Sequence, residues 1–257
     1  MGNVEKWLKP PNPSINLNEA RKLRHTGTGT WLLEHEDFQK WTAGQNRHLW
    51  LHGMAGCGKT VLSAIILDHI LRSKETNVNL FFFFDFKDSA KQTLDGMLRS
   101  LIFQLHQANV VGSASYIQDL CRSHNNGQNQ PTLGTLSDTL HRLLAKQRNA
   151  SIILDALDES NTRCELIRWM KNLVLSPDSH HVRCIWTSRT EHDFSDNIPD
   201  LIGKDCCISL HKEAVNIDIR SYVKAQLETD TRFTRKDIEV NLRNQIQQKV
   251  GDGADGM

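Results

Sequence analysis

The chain has 257 residues and a formal net charge of +1, and its 39% hydrophobic and 24% charged residues are ordinary for a globular protein. A chain of this length can bury a sizeable core without a disulfide scaffold, and the composition excludes fibrous and wholly disordered classes. Because the net charge is close to zero, no overall field attracts the protein to nucleic acid or to an anionic membrane, so direct nucleic-acid binding is not expected.

The N-terminal segment, residues 1–25, mixes proline, asparagine and charged residues without sustained periodicity, which predicts a loosely ordered lead-in or linker. Its first residues lack the apolar core of a signal peptide, and no part of the chain approaches the roughly 18 consecutive apolar residues of a membrane span. The six cysteines show no paired metal-ligand spacing, a usage that suits a reducing compartment. We therefore expect a cytoplasmic protein without a membrane span.

Strand and helix patterns alternate through the middle of the chain. Five short apolar runs predict strands at His48–His52, Asn79–Phe86, Ser151–Leu157, Arg183–Ser188 and Asp205–Leu210. Stretches of helical period predict helices at Glu34–Thr42, Lys59–Arg72, Thr93–Gln107, Thr135–Lys146 and Arg163–Val174. The strand runs are almost continuously hydrophobic, as a parallel sheet covered by helices on both faces requires. The pattern predicts an α/β fold with three layers.

The alternation stops near Glu213, where the pattern changes to helices alone, at Val215–Leu227 and Arg235–Val250. We therefore expect an α/β domain over residues 26–212 and a small helical subdomain over residues 213–257. The chain ends in GDGADGM, a turn-forming segment with no closing element. The helical subdomain is accordingly expected to be truncated.

The segment between the first predicted strand and the next helix fits the pattern GxxxxGK[ST]. Its glycines let successive backbone N–H groups approach phosphate oxygens at the positive end of a helix. Lys59 is expected to neutralise the β- and γ-phosphates, and the Thr60 hydroxyl to bind Mg²⁺. The residues predicted to bind ATP or ADP are Gly53, Met54, Ala55, Gly56, Cys57, Gly58, Lys59, Thr60 and Val61.

The segment SIILDALDE supplies carboxylates at the end of a hydrophobic strand, the position from which the metal ion is held in such sites. Asp155 is placed to hold Mg²⁺ through water, together with Thr60. Asp158 and Glu159 follow in the next turn, and either could orient the attacking water, with Glu159 preferred as the base. A strand ending in Asp is also common as a plain turn or a helix cap, so the assignment depends on the glycine-rich loop.

The segment RCIWTSR ends in Arg189 at the same edge of the predicted sheet, where ligands of open α/β folds bind. Arg189 could sense the γ-phosphate as part of the catalytic set. The alternative is a surface arginine that forms a salt bridge, and its position alone does not decide between the two.

These segments together resemble the NACHT-type P-loop modules of the STAND class, specifically those of fungal proteins and of the nephrocystin-like N-terminal region. The resemblance rests on TGTGTWLLEHEDFQKW, LHGMAGCGKTVLSAIILDHI, FFFFDFKDSAKQTLDGMLRSLIFQL, SIILDALDE and IWTSRTEHDF, and it extends from Thr26 to the end of the chain. Small Ala156 after Asp155, and acids three and four places on, match the pattern of this class.

The resemblance implies a P-loop NTPase fold whose mainly parallel five-stranded sheet has the order 5-1-4-3-2, and it implies that Arg189 is the family's sensor. It also implies an ATPase that acts as a slow regulatory switch and self-associates in the full-length protein. Thr28–Trp31 resembles the stretch that lies near the adenine. The chain ends before the winged-helix histidine that contacts nucleotide in similar proteins, which puts the autoinhibited state in doubt.

Several other functions stay open at this stage. The absence of an NKxD-like motif after the metal strand favours ATP over GTP. A small-molecule kinase would need an arginine-rich lid and an acceptor pocket, and neither is identifiable in the sequence. A scaffold that binds nucleotide without hydrolysing it is the third alternative.

Overall fold

The computed structural model describes residues 2–25, 27–73, 78–110, 112–210, 212–229 and 240–253. Its centre is a five-stranded sheet of order β2-β3-β4-β1-β5, in which all neighbouring strands are parallel. The strands are β1 (His48–His52), β2 (Val78–Phe83), β3 (Ala150–Asp155), β4 (Val182–Ser188) and β5 (Cys207–Ser209). Counted from the opposite edge, this is the predicted order 5-1-4-3-2, and the P-loop α/β fold is confirmed.

Thirteen described helices surround or extend the sheet. They are α1 (Gly2–Leu8), α2 (Ser14–Leu23), α3 (Thr30–Glu34), α4 (Glu36–Thr42), α5 (Lys59–Arg72), α6 (Leu94–Gln107), α7 (Ser113–Ser123), α8 (Leu133–Ala145), α9 (Arg163–Leu175), α10 (His192–Ser195), α11 (Ile198–Ile202), α12 (Lys212–Thr229) and α13 (Val240–Gly253). No helix of the described ranges has both the length and the apolar character needed to cross a membrane.

Two apolar cores lie on opposite faces of the sheet, because successive residues of a strand point to opposite sides. In β3, Ile152 and Leu154 belong to one core and Ile153 to the other. Residues of α6, α8 and α9 cover the first core, and residues of α2, α4 and α5 cover the second. The sheet is therefore the middle of three layers, and the carboxyl ends of its strands meet at one edge.

The N-terminal segment forms two helices over its described residues, α1 and α2, and both pack against the domain, so the expectation of a loosely ordered lead-in over residues 1–25 is wrong for residues 2–25. Trp7 and Leu8 of α1 are buried in the core that contains α6, and the Trp7 indole donates a hydrogen bond to the Asn129 carbonyl (2.8 Å). Leu17 and Ala20 of α2 are buried against the α5 side. These pairs are one and three residues apart, too few to show as periodicity along the segment, yet they are enough to dock two short helices.

The C-terminal part is helical in both of its described ranges, where α12 and α13 contact each other. The predicted helix Arg235–Val250 is described only from Val240 onward, and residues 254–257 of the GDGADGM ending lie outside the described residues, as does Thr26. The division into domains at 212/213 stays a prediction.

Candidate functional site

The glycine-rich loop connects the end of β1 to the start of α5 at the carboxyl edge of the sheet. Gly58 directly precedes the first residue of α5. Its φ is +85°, a left-handed conformation that residues other than glycine rarely adopt. A Cβ atom on Gly53 would lie 2.9 Å from Cys57 Sγ and 3.0 Å from Leu210 Cβ. Close packing at one end of the loop and backbone conformation at the other therefore require glycine. Met54 and Ala55 between them are exposed.

The Lys59 side chain lies against its own loop. Its ammonium donates hydrogen bonds to the carbonyl oxygens of Gly53 (2.9 Å) and Met54 (2.7 Å), and lies 3.5 Å from the buried Cys57 sulfur. A positive charge is thus held beside the N-terminus of α5, whose first N–H groups also favour an anion. The loop has the charge and the donors needed to bind phosphate groups.

Asp155 is the last residue of β3 and the centre of a buried hydrogen-bond cluster. Three hydroxyls donate to its carboxylate, those of Thr60 (2.7 Å), Ser63 (2.6 Å) and Thr187 (2.7 Å). Burial raises the pKa of the Asp155 carboxyl, whereas the three hydroxyls and the Lys59 ammonium oppose that rise. The structure therefore brings Thr60 and Asp155 together. Ser63 and Thr187 carry no motif signal that identifies them in the sequence.

The donor set at Thr60 and Asp155 fits a magnesium ion. One carboxylate and one hydroxyl beside a phosphate-binding loop match the usual Mg²⁺ environment, in which water and phosphate oxygens complete the coordination. Within the part of the chain that the structure describes, no group of three or more His, Cys, Asp or Glu side chains converges on one point.

Asp158 and Arg189 form an ion pair, which is the salt-bridge alternative that the sequence left open for Arg189. The Arg189 Nε lies 3.1 Å from Asp158 Oδ2, and the Arg189 backbone N–H donates to Asp158 Oδ1 (2.9 Å). The Asp158 side chain is 4% exposed and the Arg189 side chain 48%. Both carboxylate oxygens of Asp158 are engaged, which leaves Asp158 poorly placed to orient water. Arg163, whose sequence context gave no signal, also donates to the Asp158 carbonyl.

Glu159 ends the short helical turn Leu157–Glu159, and it lines the same cavity as Asp158 and Arg189 but has a different hydrogen-bond partner. It accepts a hydrogen bond from the Phe86 backbone N–H (2.9 Å) and lines an open cavity of about 670 Å³ at the ends of β2, β3 and β4. Burial, followed by the nearby carboxylates of Asp158, Asp85 and Asp155, raises the pKa of Glu159, while the Phe86 N–H lowers it. A half-buried carboxyl with a raised pKa beside a cavity is suited to proton transfer.

Ala156 connects Asp155 to this turn in a left-handed conformation, with φ +57°. Its N–H donates to the Thr187 hydroxyl (2.9 Å), and this hydroxyl in turn donates to Asp155. A small residue after Asp155 is thus explained by backbone geometry, since bulky side chains are strained at positive φ. The turn directs Asp158 and Glu159 to different partners.

A second pocket, of about 290 Å³, opens beside the glycine-rich loop. Gly56, Cys57, Gly58 and Val61 are among its lining residues, and the role of Val61 in nucleotide binding stays a prediction. Thr28 and Trp31, from the stretch expected near an adenine, also line it. The pocket is completed by residues that no sequence pattern identified, namely Leu23, His25, Leu62, Asp218, Ile219 and Tyr222.

Comparison with known proteins agrees with this architecture. A family model described as nephrocystin 3, N-terminal, matches residues 27–189. The vegetative incompatibility protein HET-E-1 of Podospora anserina is 25% identical over 236 residues, which are 88% of this chain and 17% of that protein. The two sequence matches confirm the resemblance to a NACHT-like module.

Among solved structures, the crystal structure of Cdc6p from Pyrobaculum aerophilum is similar to this chain with a TM-score of 0.53. The sequence identity is 11%, and the match covers 83% of this chain and 52% of that one. At this identity the likeness concerns the fold alone.

Proposed function

Because the chain belongs to the nephrocystin 3 N-terminal family and forms a P-loop NTPase-type nucleotide-binding module, we propose that it binds ATP and ADP with Mg²⁺ and acts as a regulatory switch with slow hydrolysis. In this proposal, residues 26–212 are the NTPase domain and residues 213–257 are the start of a helical subdomain. The observation that supports it most strongly is the 2.7 Å contact between the Thr60 hydroxyl and the Asp155 carboxylate.

Each part of the loop has a role in binding. The backbone N–H groups from Gly53 to Thr60 and the Lys59 ammonium bind the phosphates, and Thr60 and Asp155 hold the metal ion, Asp155 through water. Bound Mg²⁺ supplies neutralisation of the charge on the phosphate oxygens. To reach a phosphate, Lys59 exchanges its bonds to the Gly53 and Met54 carbonyls for phosphate oxygens.

The two acids after Asp155 have different roles in hydrolysis. Glu159 is the base that orients and deprotonates the attacking water, because it lines the cavity and its pKa is raised. Asp158 positions Arg189 through both of its carboxylate oxygens. Arg189 is half exposed at the same edge, from which it contributes a positive charge toward the γ-phosphate.

The regulatory role is supported by the similarity to HET-E-1, whose name describes a vegetative incompatibility protein. The chain spans 17% of that protein, so the signal and the effector of the whole protein lie beyond this comparison. We propose a cytoplasmic signalling protein of fungal type, in which this module self-associates when the full-length protein is active.

Equilibrium binding of ATP, ADP and GTP, each with Mg²⁺ and with a chelator, tests the proposal. We expect Mg²⁺-dependent binding of ATP and ADP, weaker binding of GTP, and turnover well below the roughly 1–10³ s⁻¹ typical of enzymes. Absence of nucleotide binding would refute the proposal. Binding without any turnover would favour a scaffold, and rapid phosphoryl transfer to an added small molecule would favour a kinase.

A further inference from the structure

Two chemically different groups of residues line the pocket beside the glycine-rich loop. The first group is Gly56, Cys57 and Gly58 of the loop, whose backbone is suited to anions. The second group is aromatic and apolar and includes Trp31 and Tyr222. A ligand that suits both groups has a flat apolar part joined to a phosphate chain, which describes a nucleotide whose base enters the pocket.

The helix α12 closes this pocket with one face. Asp218, Ile219 and Tyr222 line the pocket at positions i, i+1 and i+4, which lie on the same side of a helix. Tyr222 is 47% exposed and Leu23 73%, so both side chains leave apolar surface that a ligand in this pocket can cover.

Two contacts join α12 to the segment before β1 across this pocket. The Asp218 carboxylate oxygen Oδ2 accepts hydrogen bonds from the Gly29 backbone N–H (3.0 Å) and from the Trp31 indole N–H (3.1 Å). The rings of His25 and Tyr222 pack edge to face with centroids 5.8 Å apart. Gly29 has φ +73°, and an added Cβ would lie 2.7 Å from side-chain atoms of Leu62 and Ile65, so this turn packs closely against α5.

We propose that Asp218 is a positioning residue for the base of the nucleotide. It has this role because its hydrogen bonds hold Trp31 and the Gly29 turn against the pocket. This inference rests on the proposed nucleotide binding. It adds that α12 recognises the base of the nucleotide. Since the coupling is reciprocal, a bound base also stabilises the docking of α12 on the α/β domain. Phosphates bound at the loop without a base lack this effect.

The test compares MgATP with magnesium tripolyphosphate, which has the phosphate chain but no base. Binding of both probes is measured by calorimetry for the wild-type chain and for Asp218→Ala. We expect Asp218→Ala to weaken MgATP at least tenfold while tripolyphosphate binding changes less than twofold. Glu228→Ala, an exposed acid on the same helix, is the matched control and should leave both affinities unchanged.

Two further variants separate positioning from general damage. Asp218→Asn keeps a carbonyl oxygen that can accept both hydrogen bonds, so it should restore MgATP affinity to within about threefold of wild type. Trp31→Phe removes the indole N–H donor together with part of the ring and should weaken MgATP selectively, which provides a test if Asp218→Ala does not fold. Equal losses for both probes, or no loss in Asp218→Ala and Trp31→Phe, would overturn the inference.

The same experiment distinguishes this inference from the proposed function. A wild-type chain that binds neither probe would refute nucleotide binding itself. A wild-type chain that binds the two probes with equal affinity would retain a phosphate site and refute the base pocket alone.

Discussion

Thr60 and Asp155, which are 95 positions apart in the chain, are joined by a 2.7 Å hydrogen bond from the Thr60 hydroxyl to the Asp155 carboxylate. The bond connects the first turn of α5 to the end of β3, and the adjacent strands β3 and β4 bring Thr187 to the same carboxylate. The Thr60 hydroxyl and the Asp155 carboxylate therefore lie side by side next to the glycine-rich loop.

Asp155→Asn is expected to fold and to lose Mg²⁺-dependent nucleotide affinity by at least about tenfold, because a hydrogen bond or contact to a charged group contributes about 1.5–3 kcal/mol. The amide oxygen can still accept bonds from Ser63 and Thr187, and the Thr60 hydroxyl can rotate to accept from the amide nitrogen. Calorimetric titration with ATP, with and without Mg²⁺, measures the loss. Unchanged magnesium dependence would contradict the role of Asp155.

The stability of the ligand-free protein should also depend on Asp155. Burial raises its pKa, so the native state holds the proton to a higher pH than the unfolded chain does. The free energy of unfolding therefore decreases as the pH rises from the ordinary Asp range through the raised pKa. Urea unfolding of wild type and Asp155→Asn over this range should show a smaller pH dependence in the variant.

Lys59→Ala is expected to weaken ATP binding by about tenfold or more, because it removes the only side-chain cation of the loop residues 53–60. The fold should be retained, since the lost bonds to Gly53 and Met54 lie within the loop itself. Lys204→Ala is the control. Lys204 is exposed and precedes β5, so it lies at the amino ends of the strands, whereas the glycine-rich loop lies at their carboxyl ends. Fluorescent-ATP titration checks the result, and wild-type affinity in Lys59→Ala would contradict it.

Glu159→Gln is expected to lower single-turnover hydrolysis by about 10²–10⁴-fold, the usual contribution of a general base, while ATP affinity changes little. Asp158→Asn should instead reduce both hydrolysis and the preference for ATP over ADP, because Arg189 loses its anchoring carboxylate. Rapid-quench assays and ATP/ADP competition separate the two effects. Equal behaviour of the two variants would show that the acids do not have different roles.

Hydrolysis should increase with pH through the raised pKa of Glu159, since the base acts in its deprotonated form. The Asp85 carboxylate is one of the groups that raise this pKa, so Asp85→Asn should move the rising limb to lower pH. The Asp85 carboxylate accepts from the Asn16 side chain (2.8 Å) and from the Lys87 backbone N–H (2.9 Å), and the amide oxygen of the variant can keep one of these two bonds. A profile of kcat against pH for the wild type and this variant measures the shift; an unmoved limb would exclude Glu159 as the titrating group.

Leu17→Ala in α2 is expected to reduce the free energy of unfolding by about 2–5 kcal/mol, as for other buried leucines. Leu17 is 4% exposed, whereas Ile15 on the same helix is 54% exposed, so Ile15→Ala should cost much less. Chemical denaturation of both variants tests whether the N-terminal segment is part of the folded domain. Similar small losses in both would argue against its packing.

The sequence alone determined the elements whose signals are local. The bounds of β1 and of α5 were predicted as the structure has them, because an apolar run, a glycine-rich loop and a helical period follow one another without a gap. Asp155 was identified for the same reason, as the residue that ends a hydrophobic strand. The strand order came from the family resemblance, since local patterns do not specify which strands are neighbours.

Only the tertiary structure decided which distant groups meet. The pairing of Asp158 with Arg189, the packing of α1 and α2, and the contact of Asp218 with Trp31 each join residues from separate elements. The sequence singled out Asp158, Arg189 and Trp31 one by one, but it did not give these partners, because hydrogen bonds and packing depend on distance in space, which the folded sheet and its two helical layers set.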